Sequence, residues 1–167
     1  MKQNVKPFDA AEFAKKQLEL LEKERLAEVA EISDAITHYS PYQLQTRGLA
    51  LLNLVISSVR TGLGGKTYTL SNIHNAHDRL LELERDGSTG GTIPPHAIRS
   101  GDICRLQPLL SGSAKKKDLK EASKNAVEGV VSRVKEGSIT LALRNEEEVP
   151  FGNDVRCWLY LSPSLSN

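Results

Sequence analysis

A chain of 167 residues has the size of one domain with room for an appendage, and its formal charge of +1, with 26% charged residues, neither announces nor excludes a polyanionic partner. Any nucleic-acid contact must therefore come from a local cluster of charge. No apolar run approaches the roughly 18 residues that cross a bilayer, Met1-Lys2-Gln3-Asn4 lacks the apolar core of a signal peptide, and Cys104 and Cys157 stand far apart, so the sequence predicts a soluble protein without a membrane partner, in a reducing compartment.

Asp9, followed three positions later by Glu12, has the spacing of a capping box and predicts a helix start. From Ala14 onward, Leu18, Leu21, Val29, Ile32 and Ile36 fall on one side at about 100° per residue, with Arg25 the one interruption. About 30 residues rising about 1.5 Å each make a rod of roughly 45 Å, longer than a small domain can cover. Both a coiled-coil or bundle helix and a stalk awaiting a returning helix fit this pattern.

Ser40-Pro41 combines a hydroxyl cap with a ring suited to the first helical position, predicting a short helix from Pro41 to Arg47 that ends at Gly48. The composition then turns to β. Leu49 to Val59, rich in leucine, valine and isoleucine, reads as the central strand. Further strands are predicted at Asp102 to Leu106, Val127 to Val134, Ser138 to Leu143 and Val155 to Leu161, with a hairpin through Lys135 to Ser138 in which Gly137 supplies a left-handed turn. In the last strand Val155, Cys157, Leu159 and Leu161 alternate with Arg156, Trp158 and Tyr160, giving one apolar and one amphipathic face.

Asp86 to Thr92 and Ser111 to Lys117 read as loops, the second long and basic, while Tyr68 to Arg79 fits strand, short helix or loop equally. The fold class is α+β: a long N-terminal stalk helix (1–39), a short helix (40–48) and a small, mostly antiparallel β-barrel (49–162), followed by a short tail (163–167).

The stretch Gly62-Leu63-Gly64-Gly65-Lys66-Thr67 shares the Gly-Lys-Thr ending of a phosphate loop. That loop needs a glycine where Arg60 stands, and a helix after Thr67 where Tyr68-Thr69-Leu70-Ser71 shows no helical periodicity. Arg60 to Thr67 therefore reads as a hairpin turn. His74 and His77 have a metal-compatible spacing but no further ligand to complete a tetrahedral set, and Asn145 to Glu148 reads as a solvated loop rather than an acid/base pair. The basic cluster Lys115, Lys116 and Lys117, with Lys120 and Lys124 beyond it, is suited to phosphate contact, though such clusters are often simply solvated.

The blocks Phe13-Ala-Lys-Lys-Gln-Leu-Glu-Leu-Leu-Glu-Lys-Glu-Arg-Leu-Ala-Glu-Val, Leu44-Gln-Thr-Arg-Gly-Leu-Ala-Leu-Leu-Asn-Leu and Ser57-Ser-Val-Arg-Thr-Gly-Leu-Gly-Gly-Lys resemble the N-terminus of the immunoglobulin-mu-binding protein helicases. That superfamily 1 group includes the DNA polymerase alpha-associated DNA helicase. The likeness continues through Ser100-Gly-Asp-Ile, Ser111-Gly-Ser-Ala-Lys-Lys-Lys and Glu128-Gly-Val-Val. It implies a long helix and a returning helix that carry a β-barrel on the first motor domain, where the barrel shapes a single-strand channel.

On that resemblance the expected function is the stalk-and-barrel accessory region of an ATP-dependent 5′-to-3′ helicase, positioning single-stranded DNA or RNA. The chain alone is expected to be inactive, with no cofactor of its own, while the parent uses ATP and magnesium. Lys115, Lys116, Lys117, Arg60 and Lys66 are the candidate nucleic-acid contacts, and the remainder of the motor is the expected partner. The cytoplasm and nucleus are the expected location. Tyr68 to Arg79 reads as an insertion relative to the family, and the sequence stops where the returning helix is expected, which leaves the helix stripe open to self-association. A protein-interaction module using that stripe is the competing reading.

Overall fold

The computed structural model describes residues 9–61, 67–68, 79–143 and 149–163. The first helix, α1, runs Ala10–His38. Its cap is one-sided: Asp9 Oδ1 accepts hydrogen bonds from the N–H groups of Ala11 (3.0 Å) and Glu12 (3.2 Å), satisfying donors that the helix leaves open. Arg25, the break in the apolar stripe, is held by Glu22 one turn back through two hydrogen bonds of 3.0 and 2.6 Å. Only Ala35 near the end of α1 is buried.

The short helix α2, Pro41–Thr46, has the full reciprocal cap, with Ser40 Oγ accepting from the Gln43 N–H and the Ser40 N–H donating to Gln43 Oε1. Gly48 then turns the chain at φ 75°, where an added Cβ would lie 3.2 Å from the Ala97 nitrogen. Glycine meets both requirements, the left-handed φ and the close approach of the 96–97 backbone.

Seven strands follow: β1 (Ala50–Thr61), β2 (Thr67–Tyr68), β3 (Arg79–Arg85), β4 (Ile103–Pro108), β5 (Val127–Val134), β6 (Ser138–Leu143) and β7 (Cys157–Leu161). Every pairing among them is antiparallel, in the order β2-β1-β3-β6-β5-β4-β7, and β1 also pairs with β7. Six strands thus close on themselves, which leaves few open strand edges. The long β1 makes closure possible: Ala50 to Leu54 pair with β7, and Leu54 to Thr61 pair with β3. The register shifts between Leu51 and Leu54, where Asn53 adopts φ 57°, a conformation that asparagine tolerates better than most residues.

The alternation of side chains along β1 serves two cores. Leu51, Leu54, Ile56 and Val59 point into the barrel with Leu81, Leu83, Leu106, Ile139, Leu141 and Leu159. Ala50 and Leu52 point outward and pack with Ala35, Leu44, Trp158 and Tyr160 beneath α2 and the end of α1. On the face of β7 expected to be amphipathic, Trp158 and Tyr160 are consequently buried as well, while Arg156 just before the strand stays exposed. Trp158 and Tyr160 stack with ring centroids 4.3 Å apart because the helices cover them.

Two further expectations are corrected. Gly137 does not adopt a left-handed conformation, since the positive-φ glycines among the described residues are Gly48, Gly90 and Gly101. The β5–β6 turn closes instead through the Lys135 N–H to the Ser138 carbonyl at 2.8 Å and leans on the preceding loop, where the Ile93 N–H reaches the Glu136 carbonyl. The basic stretch expected as a loop also continues into a helix, α3 (Lys116–Lys124). Asp118 fixes its start by accepting from the Lys115 N–H at 3.1 Å, and Ala122 anchors it by burial.

Candidate nucleic-acid interface

The lysine cluster sits at the start of α3, with Lys115 at the N-cap and Lys116 and Lys117 in the first turn, all three exposed. Ser111 and Ser113 share a hydroxyl hydrogen bond of 3.2 Å just before it. Cations at this end of a helix lie against its positive macrodipole, at a cost of about 0.3–1 kcal/mol each that Asp118 partly offsets and a bound anion would reverse. The three ammonium groups are therefore held on an ordered helix rather than on the loop that the composition suggests.

Arg60 lies near the end of β1, on the outer face of the barrel. It is not a free cation: its Nη2 donates to Glu82 Oε2 at 3.0 Å. Lys66 lies outside the described residues. His74, His77 and Glu146 to Glu148 lie outside them too. The hairpin reading of Arg60 to Thr67 holds where the strands are described, for Arg60 pairs with Thr67 and Val59 with Tyr68. Thr67 and Tyr68 are themselves strand, where a phosphate loop begins its helix.

Glu82 is the hub of this outer face. Its carboxylate accepts from Arg60, from Lys135 Nζ at 3.2 Å, from Ser138 Oγ at 3.2 Å and from Ser58 Oγ at 3.2 Å, while only 13% of the side chain is exposed. The Lys135 hydrogen bond acts against partial desolvation and, with those of Ser138 and Ser58, holds Glu82 below the ordinary carboxylate range. Arg60, Leu80, Glu82, Ser132, Arg133, Lys135 and Thr140 line a shallow groove over β1, β3, β6 and β5. A lone Arg in a strand and a lone Lys in a turn carry no sequence signature, which is why Arg133 and Lys135 were not legible as partners of Arg60. Only the pairing of four strands brings them together.

A second groove lies between α1 and the barrel. Glu28, Glu31 and Asp34 of the helix line it together with Arg47, Arg99 and Asp102 and the apolar Ile32, Leu49 and Leu161. Arg47 stacks over the Tyr39 ring at 3.9 Å, which fixes the α1–α2 corner. Its mixed charge suits polypeptide better than a polyanion.

Cys104 and Cys157 are buried and unpaired, and burial raises both thiols, Cys157 to about 12. Neither is poised as a nucleophile. Among the described residues, no cluster of three or more His, Cys, Asp or Glu side chains is placed to hold a metal ion, and no helix is long and apolar enough to cross a membrane.

A closed antiparallel barrel with a long helix docked at its C-terminal end is the architecture of a helicase accessory domain. The chain belongs to the family described as helicase SMUBP-2/HCS1, 1B domain, which matches residues 14–157. It is 33% identical over 140 residues to the DNA polymerase alpha-associated DNA helicase A of Schizosaccharomyces pombe, an alignment covering 83% of this chain and 19% of that protein. It is 34% identical over 143 residues to the DNA-binding protein SMUBP-2 of Mus musculus, covering 85% of this chain and 12% of the relative. The DNA polymerase alpha-associated DNA helicase A of Saccharomyces cerevisiae is 27% identical over 146 residues, with 83% and 20% covered. The chain thus spans no more than about a fifth of these relatives.

Proposed function

We propose that this 1B domain positions single-stranded nucleic acid for an ATP-dependent helicase motor that lies outside these 167 residues, and that it does so without hydrolysing nucleotide. The observation that carries this reading is the cluster Lys115, Lys116 and Lys117, displayed at the positive end of an ordered helix on a barrel of the helicase SMUBP-2/HCS1 family. Phosphates there would relieve the mutual repulsion of the lysines and complement the α3 dipole. The names of the relatives, a DNA helicase and a DNA-binding protein, agree with such a role. ATP and magnesium would belong to the motor, and DNA and RNA are both admitted by contacts made to phosphate alone.

The test is a titration of a labelled single-stranded oligonucleotide with the wild type and with Lys115, Lys116 and Lys117 all replaced by Ala. We expect weaker binding and a slope of log affinity on log salt that is flatter by about 0.7 for each phosphate no longer neutralised. An unchanged slope would remove the cluster from the interface.

A second reading draws on α1. Phe13, Leu18, Leu20, Leu21 and Leu26 are all about half exposed or more, which favours a protein contact along the rod, with the motor or with a second copy. Sedimentation or size-exclusion mass at two concentrations separates these, since self-association raises the mass with concentration.

A further inference from the structure

The groove centred on Glu82 has a regularity that a scattered set of surface charges would lack. Ser58 pairs with Glu82, Glu82 with Thr140, and Thr140 with Arg133, so these four residues form one continuous row across β1, β3, β6 and β5. The adjacent row is Arg60, Leu80, Ala142 and Val130, again in direct register. A polar row and a largely apolar row therefore lie side by side across four rigid strands, with neighbouring strands about 4.8 Å apart. Arg60, Arg133 and Lys135 supply three cations against the single carboxylate of Glu82. Val130, 44% exposed, keeps the apolar row open to solvent.

The balance of the hub also matters. Glu82 is bonded to two of the cations and so fixes where they stand, but it neutralises only one charge. Arg133 is exposed and has no partner of its own among the described residues. Phosphate oxygens could bind Arg133 directly and displace or share the bonds of Arg60 and Lys135, because guanidinium groups bind phosphate at least as well as carboxylate. Along β5, Arg133 stands six residues from Val127, a span of about 20 Å, and the lysine cluster belongs to the first turn of α3, an element that contributes no residue to this groove.

We infer that the Ser58–Glu82–Thr140–Arg133 row and its cations form a second phosphate-contacting track for single-stranded nucleic acid, distinct from the α3 lysines, with Glu82 limiting its affinity. The inference rests on the proposed nucleic-acid role. The apolar row beside the track offers a surface for sugars and base faces, and contacts made to phosphate carry no sequence information. Glu82 acts as an internal competitor: it pre-positions Arg60 and Lys135 and is also the anion that an incoming phosphate must displace.

The experiment measures anisotropy of a fluorescein-labelled 20-nucleotide oligothymidylate with the 167-residue chain, over a salt series, for wild type, Arg133→Gln, the triple variant Arg60→Gln/Arg133→Gln/Lys135→Gln, Glu82→Gln, and the triple-alanine variant of Lys115, Lys116 and Lys117. Arg133→Gln changes an exposed side chain and leaves the hub bonded, so it reports even if the triple variant unfolds; thermal melts identify any variant that does. The expected results are a loss of about two- to five-fold for Arg133→Gln, a larger loss for the triple variant with a slope flatter by about 0.7 per phosphate released, and a gain of several-fold for Glu82→Gln. Wild-type binding that falls only in the α3 variant, with Arg133→Gln and Glu82→Gln unchanged, overturns the second track and leaves the proposed function standing. No wild-type binding at low salt overturns both. Polyglutamate that displaces the oligonucleotide at a lower charge concentration than unlabelled oligothymidylate requires, with this advantage lost in Arg133→Gln, also overturns the inference and reassigns the groove to an acidic protein segment.

Discussion

The barrel and the rod show opposite patterns of burial. In the barrel, Leu51, Leu81, Leu83, Leu106, Leu141 and Leu159 are fully buried inside a closed ring, and even the outward faces of β1 and β7 are covered by α2 and the end of α1. Along α1 the pattern reverses: Leu18 is 67% exposed and Leu21 60%, and contact with the barrel begins only around Val29 and Ile32. The barrel is held by a continuous core, whereas the first half of α1 rests on capping and local ion pairs such as Arg25–Glu22. Its leucines are left open to solvent.

The sharpest way to break this comparison is to truncate one leucine in each region. Leu141→Ala should lower the unfolding free energy by about 2–5 kcal/mol in urea melts, because the side chain is wholly enclosed. Leu21→Ala on the rod should change it by less than about 0.5 kcal/mol. A large loss at Leu21 would show that the rod is packed in solution, as a dimer would pack it.

Gly129→Ala follows in size. An added Cβ would lie 2.6 Å from the Ala142 carbonyl oxygen and 2.8 Å from Leu141 Cγ, inside a closed barrel that cannot spread, and about 1–3 kcal/mol is expected. Ser40→Ala should cost about 1 kcal/mol by removing the reciprocal cap of α2 that seats Leu44 on the outer core.

A smaller effect depends on pH. The folded-state pKa of Glu82 is lowered, so its contribution to stability is complete above the ordinary carboxylate value of 4.5 and is lost as pH falls through the lower folded value. The stability difference between wild type and Glu82→Gln should therefore shrink in melts run below about pH 4. The smallest perturbation is chemical: Cys104 and Cys157 should resist thiol reagents in the native state and react together on unfolding, because both lie in the closed core.

The rod, α2 and five of the strands were legible in the sequence because each rests on a local signal. Asp9 and Ser40-Pro41 announce helix starts, Gly48 an end, and β5 and β6 coincide with their runs of alternating apolar residues. What escaped depends on contacts distant along the chain. Burial of Trp158 and Tyr160 requires α1 and α2 to fold over β7, a relation that alternation within one strand does not contain. The α3 helix was hidden by its three lysines, whose composition reads as a solvated loop until Asp118 caps the turn and Ala122 is buried.

The candidate site divides in the same way. Lys115 to Lys117 are adjacent in the chain and were visible as a cluster, although their helical setting was not. Arg60 was visible only as the residue that spoils a phosphate loop, and its tie to Glu82, 22 residues away, comes from the β1–β3 register. Lys135 reaches the same carboxylate from 53 residues away. A constellation assembled across β1, β3, β6 and β5 has no linear signature.

The central claim, that this domain holds single-stranded nucleic acid through phosphates without a nucleotide, is tested most directly by the salt dependence of oligonucleotide binding by the wild-type chain with no ATP present. Binding at low salt that weakens as salt rises, with a log–log slope of about −1.4 or steeper for two or more phosphate contacts, is the result predicted. No binding at low salt, or binding that is indifferent to salt, would contradict it.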